Sequence, residues 1–213
     1  MEIEEKELQG FKMKIVSIGD ISVGIPSDIG PRILYLAGRK RAGFNLFGIL
    51  PNSGVQTSQG FWRTFGGHRL WSSPEAMPRS YSPDDKPIGL EMVRGAISII
   101  GNPEVENSIQ KEIRIRAFSQ GRIQVIHTIR NIGRWPVRLA CWALSVMRQN
   151  GFAIIPVESS KDEGRGLLPD RHFSIWPYDD LSDRRLRLAD QYILVDQDPS
   201  VKDPFKIGAM SRP

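Results

Sequence analysis

Apolar and polar residues alternate with a period of two along most of this chain. In one stretch, Ile113, Ile115 and Ala117 fall on one side of an extended backbone, and Arg114 and Arg116 fall on the other. A strand places successive side chains on opposite faces, whereas an amphipathic helix repeats its apolar positions about every 3.6 residues. No long stretch has the helical period, so the pattern predicts an all-β fold of antiparallel sheets.

Turns rich in glycine and proline divide this pattern into short strands. The Gly19-Asp20 turn joins two alternating runs and predicts a hairpin. Val137 to Met147 is nearly all apolar and predicts a central strand, whereas the first ten residues favour a short turn of helix. The absence of a repeat or a linker predicts one domain over 1–213. The predicted strands are Met13–Ile18, Ile21–Ile25, Arg32–Leu36, Ile97–Ile100, Ile109–Phe118, Arg122–Arg130, Val137–Met147, Phe152–Pro156, Phe173–Trp176 and Tyr192–Val195.

Composition narrows the range of partners. The net charge of +5 comes from 29 Lys and Arg against 24 Asp and Glu. Several arginines alternate with apolar residues, which favours a solvated sheet face over a nucleic-acid surface. No apolar run approaches the ~20 residues of a membrane span, and the acidic opening MEIEEKELQG is unlike a signal peptide. We therefore expect a cytoplasmic protein. Cys141, the sole cysteine, lies in the apolar run LACWALSVM and is expected to be a buried thiol.

The run FWRTFGGHRLWSSPE, from Phe61 to Glu75, has the most chemically specific composition. It combines four Phe or Trp residues, two arginines, a histidine and a carboxylate around Gly66-Gly67. Adjacent glycines permit unusual backbone angles and a close approach by another group. Aromatic faces beside hydrogen-bonding groups suit a ligand with an apolar face and a rim of hydroxyls, as a sugar has.

Four segments resemble the aldose 1-epimerase-like proteins of the galactose mutarotase superfamily. They are GGHRLWSSPE with RSYSPDDKPI (66–88), VIHTIRNIGRWPVRLACWALSVM (125–147), LLPDRHFSIWPYDDLSDRRL (167–186) and FKIG (205–208). The resemblance implies a galactose-mutarotase-like β-supersandwich with a sugar cleft on a concave surface. Members of that family continue beyond the segment matching FKIG, so the resemblance also implies a fold truncated at the C-terminus. An unpaired sheet edge would follow, and such edges favour a homodimer.

Interconversion of sugar anomers requires two proton transfers. In the family, a histidine after an asparagine acts as the acid and a later glutamate as the base. Here Ile132 follows Asn131 in the comparable turn, and no segment matches the glutamate. Two functions stay open: an aldose 1-epimerase in which His68 or His127 takes over proton transfer, or a non-catalytic sugar-recognition or regulatory module. A purely structural or basic-surface interaction protein is a third alternative. For His127, a hydrogen-bonded position in the core also fits the pattern.

The candidate residues for binding a sugar or sugar phosphate lie in two clusters, and no metal or cofactor is expected. Arg69 offers a planar fork of donors, although pairing with Glu75 as a structural brace also fits. Trp71 and Trp142 fit either a stacking platform or the core. Asp179, Asp180 and Asp183 fit either a cation site or turns, and turns are the simpler interpretation. The predicted substrate-binding residues are Arg69, Trp71, Glu75, Trp142, Asp170, Arg171, Tyr178 and Lys206.

Overall fold

The protein divides into two compact units, Met1–Arg148 and Gln149–Pro213. The structure is a computed structural model that describes residues 2–119, 121–157 and 171–210. Antiparallel strands dominate both units, which confirms the all-β prediction. None of the described residues belongs to a helix long and apolar enough to cross a membrane. The single-domain organisation expected for 1–213 stays a prediction.

The first unit contains two four-stranded sheets, a three-stranded sheet and a two-stranded hairpin. The sheet orders are β1-β2-β3-β5, β12-β11-β10-β9, β13-β8-β4 and β6-β7. Two short 3-10 turns, Arg39–Arg41 and Arg79–Tyr81, are the helical elements among its described residues. The strands are β1 (Glu2–Leu8), β2 (Phe11–Ile18), β3 (Ile21–Pro26), β4 (Arg32–Ile33), β5 (Tyr35–Gly38), β6 (Ile49–Thr57), β7 (Gly60–Gly66), β8 (His68–Ser73), β9 (Gly89–Val93), β10 (Ala96–Ile100), β11 (Ile109–Ser119), β12 (Arg122–Asn131) and β13 (Ala140–Ser145).

The core of this unit lies where the two four-stranded sheets contribute to one apolar cluster. Val16 and Val23 come from the first sheet, Ile97 and Ile113 from the second, and all four are inaccessible to solvent. Leu70 joins them from β8. The predicted alternation on β11 is confirmed from Ile113 to Arg116, whereas Ala117 is exposed where the register with β12 begins to shift. The predicted Gly19-Asp20 hairpin is the pair β2–β3. Burial of such apolar side chains is the main favourable contribution to folding.

Residues 2–8 form a strand, so the turn of helix expected in the first ten residues is wrong. β1 pairs with β2 along its whole length, from Glu2 opposite Ser17 to Leu8 opposite Phe11. A two-residue turn at Gln9 and Gly10, both with positive φ, joins them. Positive φ at both turn positions matches the twist of a hairpin. Pairing with β2 therefore outweighs the helix propensity of the glutamates and lysine in β1.

The apolar run after residue 136 is an exposed strand at the end of its sheet, so the expected central strand is wrong. β13 covers six residues and pairs with β8. Within the first unit, its other edge joins no sheet. Cys141 is exposed, which corrects the expectation of a buried thiol. Apolar composition indicated a strand but could not show whether both of its edges and both of its faces would be covered.

A buried ion pair connects β4, β7 and the chain that follows the second 3-10 turn. Arg32 is inaccessible to solvent and donates to both carboxylate oxygens of Asp84, at 2.6 and 2.8 Å. Its remaining N–H groups donate to the backbone carbonyls of Arg63, Thr64 and Gly66. One guanidinium therefore joins three segments that are far apart in the chain.

The second unit has its own small sheets, with orders β14-β17-β16 and β15-β18. The predicted strands at 152–156, 173–176 and 192–195 are confirmed to within a residue at their ends. Ile193 is almost completely buried. The strands are β14 (Phe152–Pro156), β15 (Phe173–Ile175), β16 (Leu186–Leu188), β17 (Tyr192–Asp196) and β18 (Ile207–Ala209).

We expect Arg32→Met to lower the free energy of unfolding by about 3 kcal/mol or more. The change keeps a long side chain but leaves the Asp84 carboxylate without its partner, and breaking a buried pair from one side is costly. Chemical denaturation followed by tryptophan fluorescence would measure the loss. Lys6→Ala is the control, because Lys6 pairs with Glu4 on the surface at 2.9 Å and should change stability by less than about 1 kcal/mol. Equal losses in both variants would contradict the role given to Arg32.

Candidate functional site

Strand β8 lies between β13 and β4, and it separates two groups of candidate residues. Its side chains alternate, so His68 and Leu70 lie on one face and Arg69 and Trp71 on the other. The contacts agree: His68 touches His127, whereas Arg69 touches Trp71. The candidate catalytic and binding residues of GGHRLW are therefore adjacent in sequence but lie back to back.

The Gly66-Gly67 pair allows close packing of the chain against itself. Both residues have positive φ, +92° and +68°. A Cβ on Gly66 would lie 2.1 Å from the carbonyl oxygen of Gly48, and one on Gly67 would lie 2.2 Å from that of Ile33. The close approach expected at these glycines is therefore made by neighbouring backbone.

Aromatic rings enclose the guanidinium of Arg69. Its central carbon lies 4.5 Å from the ring centroid of Trp62 and 4.4 Å from that of Trp71. Tyr81 and Trp142 pack against Trp71, with centroids 4.8 and 5.5 Å away. Arg69 is 8% exposed, and cation–π attraction of this kind strengthens when water is removed.

The polar edge of the Arg69 guanidinium has no acceptor within the described residues. No hydrogen bond or ion pair to it occurs there, and its Nη1 is closed to solvent. The alternative in which Glu75 braces Arg69 is wrong, because Glu75 accepts a hydrogen bond from the Tyr81 hydroxyl instead. Burial, with a further contribution from Arg32, lowers the pKa of Arg69 to about 10, although Asp84 offsets part of the shift. Arg69 therefore stays cationic at neutral pH.

Arg69 lines a cleft with a volume of about 310 Å³, near the lower end of small-molecule pockets. Phe61, which is 41% exposed, also lines this cleft, and the guanidinium carbon of Arg63 lies 5.0 Å from its ring centroid.

Gln59 lines both this cleft and a neighbouring hollow, where its Nε2 donates to Asn107 Oδ1 at 3.4 Å, and its Oε1 is buried without a hydrogen-bond donor. Lys111 and Glu104 form an ion pair at 2.6 Å on another wall. The cleft thus combines an aromatic face with an unpaired donor and an unpaired acceptor.

On the opposite face of β8, two histidines form a hydrogen-bonded pair. The Nε2 atoms of His68 and His127 lie 2.7 Å apart, and His68 Nδ1 lies 2.8 Å from the Ser145 hydroxyl. Burial, followed by the effect of His127, lowers the pKa of His68 to about 4, and burial also lowers the pKa of His127. Both rings are therefore neutral at pH 7, so one Nε2 donates and the other accepts. His127, for which a hydrogen-bonded core position was the alternative, is half-buried and is hydrogen-bonded to His68.

The candidates in the second unit have their own surroundings. Arg171 forms an ion pair with Asp190 at 3.3 Å, and Lys206 lies 4.3 Å from the ring centroid of Trp176. Tyr178 is half-exposed. Asp170 lies outside the described residues. The binding roles predicted for these residues stay predictions.

The aspartates of the second unit are turn residues, as the simpler interpretation predicted. Asp179 accepts hydrogen bonds from the backbone N–H groups of Trp176 and Lys206. Asp180 and Asp183 each accept from the backbone N–H two residues later. These are the local bonds through which aspartate stabilises turns. In the described part of the chain, no cluster of three or more His, Cys, Asp or Glu residues could hold a metal ion.

Sequence reasoning did not select several residues that form these sites. Trp62 was visible as an aromatic in the run before Gly66, and Tyr81 and Asp84 lie in the segment RSYSPDDKPI of the resemblance. Nothing in the sequence around Ser145 and Gln59 indicated a role in a site. The contact of Ser145 with His68 and the position of Gln59 at the cleft both depend on the tertiary fold.

Comparisons with known proteins do not identify this chain. A scan against protein-family models found no match, and searches of curated proteins and of solved structures also found none. The resemblance to galactose mutarotases and the specific supersandwich fold therefore stay predictions.

We expect His68 to reduce stability as the pH falls from about 6.5 to about 4. In that range the unfolded chain binds a proton at His68 that the folded protein does not, so the free energy of unfolding decreases as the pH falls. Comparing denaturation at pH 7 and pH 5 in the wild type and His68→Gln should show a smaller loss in the variant. His172→Gln, in the second unit, is the control. A titration of the His68 ring near pH 6.5 by NMR would contradict the expectation.

Proposed function

We propose that this protein binds a carbohydrate in the Arg69 cleft and is of the aldose 1-epimerase type, with a galactose-mutarotase-like fold. The observation that carries the proposal is that two residues lining this cleft, Arg69 and Gln59, each have a buried polar atom, Nη1 and Oε1, without a hydrogen-bond partner among the described residues. A buried polar atom without a partner costs about 1–3 kcal/mol. A sugar hydroxyl can both accept and donate, so hydroxyl-bearing ligands suit both groups.

The aromatic lining supports the same class of ligand. Phe61, Trp62 and Trp71 give the cleft aromatic walls, which suit the apolar face of a pyranose, while Trp62 and Trp71 also hold the Arg69 guanidinium in place. Rigid positioning matters because a ligand gains affinity when the groups that bind it need not be ordered.

Gln59→Leu should weaken sugar binding by about 3- to 10-fold, the effect of losing one neutral hydrogen bond. Titration calorimetry after a screen of neutral hexoses, hexuronates and hexose phosphates would measure it. Gln56→Leu is a matched control, because Gln56 is exposed on β6 and bonds to the backbone of Thr57. A screen without any sugar that binds would overturn the proposal.

The His68–His127 pair favours a second candidate function, interconversion of sugar anomers. Ring opening needs one group that gives a proton and one that accepts it. Two neutral imidazoles with Nε2 atoms 2.7 Å apart contain both kinds of group. Because this pair lies on the other face of β8, the reaction would require a sugar bound on that face and not in the Arg69 cleft.

NMR exchange between the α and β anomers of glucose and galactose would test this second function. We expect acceleration over buffer that falls at least 10-fold in His68→Gln and in His127→Gln, since general acid–base catalysis contributes about 100-fold or more. His172→Gln should retain the rate. No acceleration by the wild type would leave the non-catalytic sugar-recognition module as the function.

A further inference from the structure

We propose that the sugar bound in the Arg69 cleft carries an oxyanion, either a carboxylate or a phosphate, which Arg69 and Lys86 bind. The inference rests on the proposed carbohydrate binding and specifies its ligand class. It follows from the contacts at the cleft, where neither of these two cations forms an ion pair with a described residue.

The carboxylates nearest the floor of the cleft are already engaged. Both oxygens of Asp84 accept from Arg32. Glu104 is paired with Lys111 at 2.6 Å, and both of these side chains are largely buried. Neither carboxylate is free to neutralise Arg69 by direct contact.

The two indole rings that hold Arg69 leave the in-plane N–H groups of its guanidinium without an acceptor among the described residues. The two indole rings lie 4.4 and 4.5 Å from its central carbon, and ring faces attract a cation without accepting its in-plane N–H groups. A buried cation that makes no hydrogen bond is unfavourable. Carboxylates and phosphates match the guanidinium fork with two parallel hydrogen bonds, which neutral hydroxyls do not.

Lys86 adds a second cation at the mouth of the cleft. It is exposed, and among the described residues no carboxylate pairs with it. Asp85, 3.8 Å from Arg63, and Glu106 are exposed carboxylates that also line the cleft, so the inference depends on the buried Arg69 and not on an excess of positive charge. An anionic ligand would bind Arg69, with Lys86 as a further cation that lines the same cleft.

Titration calorimetry with glucose, glucuronate, glucose 6-phosphate and inorganic phosphate would test the inference. We expect glucuronate or glucose 6-phosphate to bind at least 10-fold more tightly than glucose, and the two ligands distinguish a carboxylate from a phosphate. Arg69→Gln should abolish that preference, and Arg69→Lys should restore part of it. Lys86→Gln should reduce it about 2- to 3-fold. Lys40→Gln, which removes another exposed lysine, should leave it unchanged.

The outcomes separate the inference from the function on which it rests. Equal affinity for glucose and its anionic derivatives would overturn the inference but leave carbohydrate binding in place. Inorganic phosphate binding as tightly as the sugar anions would support the oxyanion site and overturn carbohydrate binding. If no sugar binds, both fail. Should Arg69 variants not fold, the wild-type preference and the exposed Lys86→Gln variant still decide the question.

Discussion

The bidentate ion pair between Arg32 and Asp84 is the interaction on which the candidate binding cleft depends. It joins β4 to β7 and to the segment that carries Asp84, and of these both β7 and the Asp84 segment line the cleft. Both oxygens of Asp84 accept hydrogen bonds from Arg32 in this pair, so neither bonds directly to Arg69. The charge of Asp84 raises the pKa of Arg69 and offsets part of the lowering that burial causes. Arg69 is left with two aromatic faces and no acceptor. The buried pair therefore shapes the cleft and also leaves its central cation unsatisfied.

Strand β8 determines how the conspicuous GGHRLW motif is used. Because side chains alternate along a strand, adjacent residues His68 and Arg69 serve opposite faces of one sheet. One face holds an uncharged pair of imidazoles beside a hydroxyl, which suits proton transfer. The other holds a cation between indoles, which suits recognition of a polar ligand. A single pocket that uses both residues at once is inconsistent with this geometry.

Local pattern predicted many strands of this chain but not β6, β7, β8, β9, β16 or β18. The failures at β1 and β13 have identifiable physical causes. The β2–β3 hairpin and the two faces of β11 could be predicted because alternation and turn residues are local properties. β1 was missed because its glutamates favour helix until pairing with β2 intervenes. β13 was misplaced because apolar composition does not specify how many neighbours a strand has. Most of the candidate site was visible as residue types, but Ser145 and Gln59 were not.

The order of residues was sufficient to specify an all-β chain, the β2–β3 hairpin, and the concentration of arginine, histidine and aromatic side chains around one glycine pair. Those properties follow from side-chain alternation, turn chemistry and composition, which act over a few residues. Tertiary packing decided that Asp84 pairs with Arg32, that Arg69 has no acceptor, and that His68 meets His127. These partners are tens of positions apart in the chain, so only the folded backbone brings them within hydrogen-bonding distance.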